Sequence, residues 1–113
     1  MARTLLAIVV DCEDPSAQAK WWASVLSHEI SERNDGEFEV SDPSTSGTPL
    51  YFMKVPEPKT VKDRLHIDIT TEDSLGDEVS ALSALGATLV DLRQDSDTLA
   101  NPDRWAVMRD PEG

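Results

Sequence analysis

Shifted by 59 positions, the chain lies on itself. Ala7, Ile8, Val9 and Val10 fall on His66, Ile67, Asp68 and Ile69, Asp14 falls on Asp73, Leu26 on Leu85, and Ile30 on Leu89. One gapless offset thus aligns a strand, a helix cap, a helix core and the strand that follows. Apolar matches alone could arise by chance, but a matched cap together with a matched strand phase points to duplication. Each half then reads as strand and helix followed by a run of strands.

In the first half, Thr4 to Val10 is short, aliphatic and almost unbroken, as expected of a central strand covered on both faces. Asp14-Pro15-Ser16 opens a helix, with Asp14 capping free amides and Pro15 at the first helical position. Ala19, Trp22, Val25 and Leu26 give that helix an apolar face, and Trp21 lies at its edge. Both tryptophans read as packing, and His28 near the helix end as a structural residue. Glu29–Glu32 and Glu37–Val40 form a predicted hairpin around Asn34-Asp35-Gly36. After the polar loop Pro43 to Gly47, Leu50–Val55 is a strand carrying Tyr51, Phe52 and Met53. Pro56-Glu57-Pro58-Lys59 cannot continue a ladder and reads as a linker.

The second half opens with Arg64 to Thr70, which alternates with period two. Leu65, Ile67 and Ile69 fall on one face, His66, Asp68 and Thr70 on the other. The expectation is a strand that buries the aliphatic face under a helix and offers His66 and Asp68 to a cleft. Ile8, Val10, Ile67 and Ile69 would then all face helices. Asp73 or Ser74 caps a second helix with Leu75, Val79, Leu82 and Leu85 on one face, ended by Gly86. Thr88–Leu92 and Arg104–Arg109 are predicted strands, Asp95–Asp103 a polar loop, and Asp110-Pro111-Glu112-Gly113 a closing turn.

With 113 residues the chain makes one domain with a real core. Twenty-two acids against ten bases give a net charge of -12, a field that repels phosphate backbones and anionic lipid, so nucleic-acid and membrane partners are not expected. No apolar run is long enough to span a bilayer, and Met1-Ala2-Arg3 lacks the start of a signal peptide, so a cytoplasmic location is expected. The single Cys12 has no internal disulfide partner and reads as packing. Lys54, Lys59, Lys62 and Arg64 cluster within eleven residues, either as a solvated loop or as a rim attracting an anionic small molecule.

The repeated unit, the run Val55-Pro56-Glu57-Pro58-Lys59-Thr60-Val61-Lys62 leading into Arg64-Leu65-His66-Ile67-Asp68, and the ending Trp105 to Gly113 resemble the glyoxalase-like branch of the vicinal oxygen chelate superfamily. That superfamily includes bleomycin-resistance proteins and dioxygenases. The resemblance covers nearly the whole chain. It implies an α+β fold of two βαβββ modules, at about 1–57 and about 62–113, whose curved mixed sheet wraps a cavity with the helices outside. The last strand of the second module would be missing from this chain.

Metal-using members take four ligands from the first and last strands of the modules. His66 matches one such position, but its counterpart Ala7 cannot bind a metal, Thr4 is a weak substitute, and Leu50–Val55 offers only Tyr51 and Met53. The expectation is therefore a protein that binds a small organic molecule in the sheet cavity, with no cofactor. Its ligand would meet His66, Asp68, Tyr51, Met53 and Trp105. The alternative is a divalent-metal lyase, isomerase or dioxygenase with His66 as ligand, and His66 and Asp68 are the catalytic candidates. An imidazole, titrating at about 6.5, suits acid-base work. An unpaired strand edge in an incomplete module also favours a homodimer.

Overall fold

The computed structural model describes residues 2–93 and 105–113, and the predicted loop Asp95–Asp103 lies outside them. The chain is α+β and divides into two compact units, residues 1–59 with Glu112, and residues 60–111 with Gly113.

The first unit runs β1 (Ile8–Cys12), α1 (Pro15–Leu26), β2 (Glu29–Asn34), β3 (Glu37–Ser41) and β4 (Leu50–Lys54). These strands form one mixed sheet in the order β1-β4-β3-β2, with β1 parallel to β4 and the other pairs antiparallel. A parallel neighbour needs a crossover, and here α1 and the β2–β3 hairpin lie between β1 and β4. Strand β1 starts later than the Thr4 to Val10 run suggested, because its ladder begins where Ile8 meets Leu50. Nor is it covered on both faces: β1 lies at the edge of the sheet, and Leu5, Leu6 and Val9 are exposed.

Helix α1 forms where its caps place it. Asp14 Oδ1 accepts from the Ala17 amide at 3.1 Å, and Pro15 takes the first helical position, where a missing N–H costs nothing. The helix packs on one face of the sheet. Ala19, Ala23, Cys12, Val40, Leu50 and Phe52 make the buried core, with Val10, Trp22, Leu26 and Phe38 packed around it. Ile8, Val10 and Cys12 alternate with Val9 and Asp11, so the predicted facing of Val10 is met. Gln18 is also buried in this helix–sheet layer. The predicted hairpin forms around Asn34-Asp35-Gly36. Among the described turn residues only Gly36 has positive φ, at 76°, and the register shifts between Glu32 and Asn34.

The second unit holds α2 (Leu75–Ala84), β5 (Thr88–Arg93) and β6 (Trp105–Arg109), with β5 and β6 antiparallel. Ser74, not Asp73, caps α2, its Oγ accepting from the Asp77 amide at 3.2 Å. Leu75, Val79 and Leu82 are half-buried, as their spacing predicted, whereas Leu85 is exposed. The 59-residue shift carries α1 onto α2 and β2 onto β5. It fails at the first strand. Arg64 to Thr70 forms no ladder and is exposed throughout, Ile67 and Ile69 included. The reason is visible in the first unit. There β1 draws its whole ladder from β4, and among the described residues Arg64 to Thr70 is paired with no strand. Alternation supplies a strand's two faces but not its partner.

Candidate functional site

A sheet with a helix on one face has a second face. Pairing across the first unit decides what stands on it, because residues opposite each other in a ladder point the same way. Tyr51 is opposite Val9 on β1 and Glu39 on β3, while Met53 is opposite Asp11. Since Phe52, Phe38 and Val10 pack under α1, these five belong to the open face. Val9, Tyr51 and Met53 make an apolar strip there, with Asp11 and Glu39 beside it. Sequence alone could not assign the facing of Tyr51 and Met53, because Leu50-Tyr51-Phe52-Met53 is apolar at every position.

The polar groups at the β3 end of this face are tied together. Tyr51 donates its hydroxyl proton to Glu37 Oε2 at 2.5 Å. Asn34 Nδ2 donates to the same carboxylate oxygen at 3.0 Å and to the Tyr51 hydroxyl at 3.1 Å. Arg33 grips Glu39 through Nε at 2.6 Å and through its Nη2 at 2.5 Å. Bonds from Tyr51 and Asn34 hold the Glu37 carboxyl below its usual 4.5, since both donors favour the ionised form. The same bond to Glu37 pushes the Tyr51 phenol above its usual 10.0, helped by desolvation and by the Glu37 and Glu39 charges, against a smaller lowering by Asn34. Glu37 and Asn34 were not among the sequence-predicted residues. The signal that finds them is the hairpin pairing that sets Asn34 opposite Glu37.

The predicted site does not gather around His66 and Asp68. Both lie in the second unit on the exposed stretch without a ladder, so the strand face that was to join them in a cavity is absent. Trp105 is also in the second unit, half-exposed at the start of β6 and paired with Arg93. Tyr51 and Met53 are the two candidates that the first unit brings together.

A metal does not fit the donors in view. The face offers a phenol that keeps its proton, a thioether, and carboxylates of which Glu37 and Glu39 are already bonded. Among the described residues, no three His, Cys, Asp or Glu side chains come close enough to share a cation. A separate open depression of about 460 Å³ lies at the start of α1, lined by Glu13, Asp14, Pro15, Ser16, Gly36, Phe38 and Lys54. It belongs to the helix side, and its Asp14 carboxylate is spent on capping.

This architecture is that of a known class. The profile of the family described as a glyoxalase-like domain matches residues 7–113, and the chain belongs to that family, within the vicinal oxygen chelate superfamily. Two solved structures are similar across the whole chain. One is an integron cassette protein from the mobile metagenome of V. cholerae (TM-score 0.55, 13% identity, covering 100% of this chain and 91% of that one). The other comes from the mobile metagenome of V. pseudocholerae (TM-score 0.53, 14% identity, 100% and 90%). At such identities the likeness is one of fold. No curated protein matches the chain.

Proposed function

We propose that the protein binds a small organic molecule on the open face of the first unit's sheet, without a complete metal site of its own. The observation that carries this is the strip Val9, Tyr51 and Met53 on the face opposite α1, bordered by a few fixed polar groups. Apolar walls with a small number of oriented polar groups are what small-molecule sites are made of. Glu37 is kept ionised by neutral donors and the chain carries a net charge of -12, so the face favours neutral or cationic molecules over anions.

The family's pair of βαβββ modules is part of this reading. The first unit supports it by presenting one complete module, β1-α1-β2-β3-β4. A homodimer is part of it too, because β1 leaves one edge of the sheet open with Leu5, Leu6 and Val9 exposed nearby.

Metal content of protein purified without a tag is the first test, with no stoichiometric transition metal expected. Stoichiometric zinc, iron, nickel or manganese, lost in His66→Ala, would replace this reading with the metal-dependent lyase, isomerase or dioxygenase. That result would also make His66 and Asp68 the residues to pursue.

A further inference from the structure

The Tyr51 hydroxyl is engaged on both sides by residues from two other strands. It gives its proton to Glu37 of β3 and receives an N–H from Asn34 of β2, while Asn34 also holds Glu37. A phenol has one proton to donate, and here that proton is taken. Tyr51 stands opposite Glu39, so its hydroxyl reaches Glu37 diagonally, at the next position on the same face of β3, which ties the far end of the ring to that strand. The charged groups around it are Glu37 itself, Glu39 with its Arg33 partner, and on the β1 side Asp11, next to uncharged Val9.

We propose that Asn34 and Glu37 are positioning residues that clamp Tyr51 as a ring platform, so that this face selects flat aromatic or apolar molecules by stacking and withholds the phenol O–H from them. The ligand class rests on the reading of the open face as a binding surface; the clamp stands on its own geometry. A ring fixed before binding loses less freedom when a ligand stacks on it, which is how preorganisation raises affinity. Val9 and Met53 extend the platform on the β1 side.

The chain has one tyrosine, so phenolate absorbance against pH reports Tyr51 alone. In wild type the midpoint is expected above 10.0, pushed there chiefly by Glu37. Glu37→Gln is expected to lower it and Asn34→Ala to raise it, because the carboxylate opposes ionisation whereas the amide N–H favours it. A wild-type midpoint at the ordinary value overturns the clamp. So do shifts of the same sign in both variants, which general loosening of the hairpin would produce.

Ligand selection is read with Nile red, a flat neutral dye whose fluorescence rises on binding. Tyr51→Ala is expected to weaken its binding by about tenfold, the scale of one stacked aromatic. Tyr51→Phe and Glu37→Ala, which break the same clamp but keep the ring, are expected to weaken it equally and by less, about threefold. A loss in Tyr51→Phe as large as in Tyr51→Ala would show that the hydroxyl is the contact and overturn the platform. Unchanged binding in Glu37→Ala would overturn the positioning role. Wild type that binds no Nile red overturns the binding reading and the ligand class with it, while the titration still judges the clamp.

Discussion

Two carboxylates in the first unit are held below their ordinary ranges by hydrogen bonds. Glu37 has Tyr51 and Asn34, and Asp42 accepts from the Ser44 hydroxyl and amide at 2.7 and 2.9 Å, with His28 nearby at 3.9 Å. A carboxylate with a depressed folded pKa stabilises the fold above its unfolded value and loses that contribution as pH falls through the folded one. Stability should therefore decline as pH drops below the usual 4.5 for Glu37 and 3.8 for Asp42. Tyr51 runs the other way: its raised value contributes below 10.0 and the contribution fades as pH climbs through the folded pKa. Both carboxylates are only half-buried, so solvent screens them and the effect is modest. Urea unfolding midpoints measured between about pH 5 and pH 3 are expected to fall less steeply in Glu37→Gln than in wild type. Identical slopes would mean that the Glu37 bonds do not persist in solution. These bonds were hidden in the sequence because Asn34, Glu37 and Tyr51 meet only once two hairpin strands and β4 are in register.

At the scale of elements, what was legible was what is local. Both helices and their half-buried or buried faces follow from spacing and caps, which act within a few residues. Arg64 to Thr70 alternates with period two yet forms no strand, because a strand needs a neighbour and alternation says nothing about one. His66 and Asp68 stand on that exposed stretch. The repeat also reaches a detail of the helix ends: Ser27 after α1 has φ of 55°, and its counterpart by the 59-residue shift, Gly86 after α2, has φ of 108°. Left-handed backbone suits glycine and costs an L side chain roughly 1 kcal/mol. Ser27→Gly should therefore stabilise the protein by roughly 0.5–1 kcal/mol, and Gly86→Ser should destabilise it by a similar amount. A Cβ at Gly86 would meet nothing within 4 Å, so the second change tests backbone strain without a clash. Chemical denaturation of the two variants checks both signs. A stabilising Gly86→Ser would contradict the shared left-handed ending.

At the scale of the whole molecule, the acidic charge and the open edge of the sheet set the behaviour in solution. Among the described residues no helix is long and apolar enough to cross a membrane. The exposed aliphatic residues around β1 favour association, whereas the net charge of -12 opposes it. Sedimentation at micromolar concentration is expected to give twice the mass of one chain, more firmly as added salt screens the repulsion. A single-chain mass at high salt would count against the dimer. The proposed function itself is tested most directly by titrating the protein with Nile red in the presence of a metal chelator, beside the variant Met53→Asp. Saturable binding that the chelator leaves unchanged is the predicted result, weakened by about tenfold or more when a charge enters the strip between Tyr51 and Asp11. Binding abolished by the chelator, or equal in wild type and Met53→Asp, would contradict it.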